Sequence, residues 1–149
     1  MADTYSSLFY HIVFSTKNRQ RFIRQEIETA VWSYIGGIAR KNKMKALQVG
    51  GVEDHLHALI MAPPKVAPSQ IAQYLKGGSS HWLRRQFHGL DEFAWQEGYS
   101  VFSVSRSNLE RVAGYIRRQR QHHDKKQFVD EYRDLLERHG INYDERYLL

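Results

Sequence analysis

Four short runs of strand-like sequence, separated by two amphipathic stretches of helical spacing, constrain this chain more than any other feature. Residues 8–14 are aromatic and β-branched, which reads as a buried strand that stops at the polar, basic run 15–21. Over residues 25–43, Ile27, Val31, Tyr34 and Ile38 recur at helical spacing. Gly36-Gly37 inside that helix costs about 1 kcal/mol per glycine relative to alanine, so a bend or a close backbone approach is expected there. Residues 46–49 and 55–61 read as two strands joined through Gly50-Gly51, and Pro63-Pro64 ends the second. Ser69 is placed as the N-cap of a helix reaching about Gln86, and residues 98–104 alternate as a fourth strand.

The order β-α-β-β-α-β predicts an α+β fold, a ferredoxin-like (RRM-like) split βαβ antiparallel sheet. Two further helices follow. Ser105-Arg106-Ser107-Asn108 reads as a hinge and helix cap, leading into a helix over about residues 108–123 whose buried stripe is Leu109, Val112, Ala113 and Ile116. A last helix over about residues 127–139 carries Tyr132, Leu135 and Leu136, with Gly140 at its C′ position. All 149 residues are read as one domain.

Hydrophobic residues at 42% and aromatics at 13% exclude general disorder, and no apolar run is long enough to span a membrane. Residues 1–5 have neither a basic leader nor an apolar signal core, which predicts a cytoplasmic protein. The absence of Cys excludes disulfides, thiolate metal sites and cysteine nucleophiles together. The net charge of +6 points to a polyanionic partner. That charge is carried by residues 1–123, with 17 Lys and Arg against 9 Asp and Glu, whereas residues 124–149 hold 5 against 7.

His55 and His57 sit two apart on a strand and therefore share one face of the sheet, while Leu56 points to the other. Two parallel imidazoles are half of a metal site, but a His-x-His triplet arises by chance about 0.4 times in a chain with this many histidines. The other half must come from elsewhere. On the helix over residues 108–123, Tyr115 and Gln119 fall at about 240° and 280° from Leu109, on a face away from the apolar stripe, with His122 near 220°. Arg111, Arg117, Arg118 and Arg120 lie on the same turns.

Taken together, His55-Leu56-His57, Tyr115-Ile116-Arg117-Arg118-Gln119, the opening Tyr10-His11-Ile12-Val13-Phe14 and the run from Trp95 to Ser105 resemble the single-strand DNA transposases of small bacterial insertion sequences. These are the TnpA-type members of the HUH (His-hydrophobic-His) family with one catalytic tyrosine. The resemblance implies that His55, His57 and Gln119 bind a divalent metal, Mg²⁺ or Mn²⁺, and that Tyr115 is the nucleophile. It further implies a 5′-phosphotyrosine intermediate, single-stranded DNA with hairpin ends as substrate, and a homodimer whose active sites are completed in trans by exchanged tyrosine helices. A metal and nearby arginines are expected to favour the Tyr115 phenolate.

Arg111, Arg117, Arg118, Arg120, His122, Lys41, Lys43 and Arg84 are candidate DNA contacts, and Tyr74 and Trp95 are candidate stacking platforms. His11, His81, His88 and His139 read as structural or surface residues. Two other readings compete with the transposase: a basic module that only binds single-stranded nucleic acid, and a related HUH nickase.

Overall fold

A computed structural model of the chain describes residues 3–123 and 126–148. Four strands, β1 (Phe9–Ser15), β2 (Lys45–Val52), β3 (His55–Met61) and β4 (Ser100–Val104), form one antiparallel sheet in the order β2-β3-β1-β4. Helices α1 (Glu28–Lys41) and α2 (Pro68–Gln86) make the two crossovers. This is the split βαβ arrangement that the order of elements predicts, and it is followed by α3 (Leu109–Arg117), α4 (Gln119–His123) and α5 (Phe128–Arg138). Among the described residues no helix is long and apolar enough to cross a membrane.

The two central strands are buried on both faces, which is why β1 and β3 read as nearly continuous apolar runs. On one face Ile12, Phe14, Leu56, Ala58 and Ile60 pack against Val31 and Ile35 of α1 and Ile71 and Leu75 of α2. On the other, Val13 and Phe102 meet Phe128, Tyr132 and Leu135 of α5, and Leu59 meets Ala113 and Ile116 of α3. The charged tail of the chain thus closes the second face of the sheet.

Several local expectations are corrected. Gly50 and Gly51 do not form the hairpin turn, which falls at Glu53-Asp54; they are paired within β2, opposite His57 and Leu56. A Cβ on Gly50 would lie 2.7 Å from the carbonyl oxygen of Ile116, so this glycine lets the end of α3 rest directly on the sheet backbone. Gly36-Gly37 produces no break in α1, and a Cβ at Gly37 would meet nothing within 4 Å. Ser69 is not the cap of α2: Pro68 takes the first helical position, where no N–H is needed, and Gln70 Oε1 accepts from the Ala67 N–H at 2.7 Å. The hinge before α3 is a short 3-10 turn over Arg106–Asn108, with no side-chain cap from Asn108.

The helix expected over residues 108–123 is interrupted at Arg118 (φ −95°, ψ 20°), which separates α3 from α4. The last helix ends as expected, with Gly140 in the left-handed region at φ 67° and its N–H bonded to the Glu137 carbonyl. Trp95 is core, edge-on to Phe14 and Phe93 and donating its indole N–H to Ser79, so it is no stacking platform.

The two glycine environments predict opposite signs. Gly50→Ala should destabilise the fold by about 1–3 kcal/mol because backbone is in the way. Gly37→Ala should stabilise it by about 0.4–1 kcal/mol through helix propensity. Urea unfolding of the two variants followed by circular dichroism checks both, and equal shifts in one direction would contradict the packing described.

Candidate active site

The strand alternation sets His55 and His57 on the face covered by α3, α4 and α5, with Leu56 in the opposite core. Both imidazoles are fully buried. Each uses Nδ1 for orientation and directs Nε2 inward: His55 Nδ1 is 2.8 Å from Asp54 Oδ1, and His57 Nδ1 is 2.8 Å from His11 Nε2. His11 belongs to β1 and is diagonal to His57, since Val13 is the residue directly opposite it. An imidazole fixed through one nitrogen by a carboxylate or another ring is the arrangement that prepares the other nitrogen for a ligand.

From α3 and α4 come Tyr115 and Gln119. The break at Arg118 sets the first residue of α4, Gln119, with its Oε1 2.8 Å from His55 Nε2. The expectation that Tyr115 and Gln119 occupy an unburied helix face is overturned, because Gln119 is only 1% exposed and Tyr115 is half-buried. The cover is α5, which periodicity along α3 alone cannot reveal.

What α5 brings is Glu131, a residue that no motif or spacing in the sequence singles out. Its carboxylate is 2% exposed and sits at the centre of the site. Oε1 is 3.1 Å from His57 Nε2, 3.1 Å from His123 Nε2 and 3.5 Å from His55 Nε2. Oε2 accepts from the Tyr115 hydroxyl and, at 3.0 Å, from the Gln119 amide, while His122 Nε2 lies 3.3 Å away. One signal is present in the sequence: Glu131 lies on the same helix stripe as Phe128, Tyr132 and Leu135, a lone carboxylate among residues that must be buried.

The electrostatics follow from this crowding. Burial alone would raise the Glu131 pKa, but His57, His123 and His55 around it hold it well below the usual carboxylate range. Burial lowers His57 and, more strongly, His11, so both rings are neutral near neutral pH. For Tyr115, burial and then the Glu131 charge push the phenol pKa up, against the expected activation; Arg138, not one of the four α3 and α4 arginines, is the arginine that acts in the opposite direction.

The donor set fits a divalent cation. With Asp54 accepting from the His55 Nδ1–H, a lone pair on Nε2 would face Gln119 Oε1, itself an acceptor, at 2.8 Å. Two acceptors at that distance need a proton or a cation between them. His55, His57 and Glu131 hold their ligand atoms within 4.8 Å of one another, as do His122, His123 and Glu131.

The candidate DNA contacts divide. Arg111 borders a cavity of about 240 Å³ that reaches Tyr115 and His11. Arg118 and His122 border a second cavity at Tyr115. Arg120 lines a cleft of about 400 Å³ with Arg19, Arg21 and His123, but its guanidinium is paired with Glu28 and Glu53. Arg117 is paired with Glu110. Lys41, Lys43 and Arg84 are not brought to the site. Arg84 is on α2, across the sheet, and donates to the Phe93 carbonyl. Lys41 and Lys43 lie at the end of α1, which leads into the Lys45–Met61 end of the sheet, roughly 20 Å along β3 from His55. The tyrosine helix rests on its own chain's His pair, with the Tyr115 and His57 rings 5.6 Å apart.

Comparison with known proteins bears on the family and the fold. The family described as IS200-like transposase matches residues 4–119. The transposase of insertion sequence element IS200 from Salmonella typhimurium is 34% identical over 125 residues, covering 80% of this chain and 81% of the relative. A crystal structure of a candidate transposase from Deinococcus radiodurans superposes with a TM-score of 0.64 at 22% identity, over 80% of this chain and 95% of the other. A REP-associated tyrosine transposase solved with a REP hairpin gives 0.59 at 14% identity, over 83% and 74%. A family match that spans the whole sheet and ends on Gln119, together with a relative one-third identical, shows that this chain belongs to the IS200-like transposases.

Proposed function

We propose that this transposase cuts and rejoins single-stranded DNA at hairpins near insertion-sequence ends, with Tyr115 as nucleophile and His55, His57 and Gln119 holding Mg²⁺ or Mn²⁺. The observation that carries the reading is the convergence of the Tyr115 hydroxyl, the Gln119 amide and the Nε2 atoms of both histidines on one buried spot. The hairpin bound by the REP-associated relative supports the substrate class. A DNA substrate also places the protein with the nucleoid in the cytoplasm.

A bound divalent ion supplies Lewis-acid stabilisation of the charge that develops on the phosphate oxygens. The chain's own residues do the rest. His11 and Asp54 hold the two imidazoles so that both Nε2 lone pairs are available. Gln119 contributes a neutral oxygen, so these three ligands leave the cation's charge undiminished. Tyr115 Oη attacks phosphorus and forms the Tyr–O–P bond as the P–O3′ bond breaks; net, the phenolic proton moves to the departing 3′ oxygen. Glu131 Oε2 is the acceptor already positioned for that proton. Because the phosphodiester energy is retained in the phosphotyrosine, a different 3′-hydroxyl can attack it and release Tyr115, which joins strands without hydrolysis. The family also implies a homodimer in which the tyrosine helix of one subunit completes the His site of the other.

Tyr115→Phe should lower formation of a denaturation-resistant adduct on a labelled single-stranded hairpin oligonucleotide by at least about 10³-fold while hairpin binding persists. Cleavage retained by that variant, or adducts formed equally on duplex DNA, would refute the assignment. A second outcome concerns His11. Replacing it by Phe removes the partner of His57 Nδ1 and should weaken Mn²⁺ binding by about 10–100-fold, read by calorimetric titration.

A further inference from the structure

We propose that Glu131 is a fourth protein ligand of the metal centre, so that α5 is part of the active site and cation binding fastens it to the sheet. The inference rests on the reading of His55, His57 and Gln119 as metal ligands, and it concerns a residue beyond the family match, which ends at Gln119.

The spacing of the ligand atoms suits one ion. Atoms at about 2.1 Å from a cation and at right angles to each other are separated by about 3.0 Å. Around the proposed centre, His55 Nε2 to Gln119 Oε1 is 2.8 Å, His57 Nε2 to Glu131 Oε1 is 3.1 Å, and His55 Nε2 to Glu131 Oε1 is 3.5 Å. These are separations of neighbouring ligands on a single cation. His123 Nε2, 3.1 Å from the same Oε1, fixes the carboxylate from the side of α4.

The chemistry of the donors points the same way. Two imidazoles and an amide carry no negative charge, and two nitrogen ligands favour softer ions such as zinc. Magnesium and manganese prefer oxygen, above all carboxylate oxygen. Glu131 is the carboxylate whose oxygens lie against both Nε2 atoms, and it is buried on an otherwise apolar helix stripe, a costly location unless a positive group compensates it. With Oε1 turned to the cation, Oε2 still accepts from Tyr115 and Gln119, so one side chain links the metal to the nucleophile.

The test uses the full-length protein and Mn²⁺ itself, followed by the electron paramagnetic resonance signal of the free ion. The native chain, His57→Ala and Glu131→Gln are compared, with folding of each checked by circular dichroism. Glu131→Gln should weaken Mn²⁺ binding about tenfold or more, and His57→Ala should abolish it. If His57→Ala binds as the native chain does, or the native chain does not bind, the metal site itself is wrong. If the native chain binds, His57→Ala does not, and Glu131→Gln is unchanged, the site stands and Glu131 is not its ligand. Should Glu131→Gln fail to fold, amide hydrogen exchange of the native chain with and without Mg²⁺ decides. Slower exchange over residues 128–138 supports ligation; unchanged or faster exchange there, with β3 protected, means that the cation leaves Glu131 out or displaces it, and overturns the proposal.

Discussion

The structure depends on one buried carboxylate. Glu131 joins three parts of the chain: the sheet through His57 and His55, α3 through Tyr115, and α4 through Gln119 and His123. A charge removed from water in this way is tolerated only when its lone pairs are satisfied, and here both oxygens have several partners. Removing it deprives the Tyr115 hydroxyl, the Gln119 amide and His123 Nε2 of the acceptor they share. The C-terminal helix is therefore not packing added to a finished site; it supplies the group around which the site is arranged.

Two backbone features make that arrangement reachable. Gly50 has no Cβ to hold the carbonyl of Ile116 away, so α3 descends onto β2 beside His57, its partner in the strand register. One residue after α3 ends, the break at Arg118 redirects the chain, and Gln119 enters the interior while Arg117 and Arg118 remain in solvent. A continuous helix would keep residues 115 and 119 on one exposed stripe, as simple periodicity suggests.

Much of this arrangement is legible in the amino-acid sequence, and what is not has physical causes. Strand and helix periodicity is informative because each element buries one definite face, so the order of elements and the shared face of His55 and His57 can be read directly. Gly50-Gly51 misleads because a glycine pair signals a turn and a close approach equally well, and only the position of α3 separates them. The role of the basic residues is hidden for a different reason. Arg117 pairs with Glu110 two turns back on α3, and Arg120 finds acidic partners far away in sequence, at Glu28 and Glu53, so a count of positive charge overstates what is free for phosphate. Glu131 escapes sequence reasoning because its meaning lies in neighbours 74 and 16 residues away, at His57 and Tyr115.

The same carboxylate that assembles the site also restrains it. A phenol donating to a buried, ionised Glu131 is a poorer nucleophile than tyrosine in water, since burial and that charge both oppose loss of its proton. His57, whose pKa is lowered by burial, cannot reverse this, and Arg117 and Arg120 are paired with carboxylates. A cation held by His55 and His57, as proposed, would weaken the hold of the carboxylate on the phenolic proton and favour the phenolate. On this view, nucleophile and metal site are one electrostatic unit. Tyr115 would then stay protonated while its partner carboxylate is unshared, and would gain reactivity as the charge proposed to stabilise the phosphate is bound.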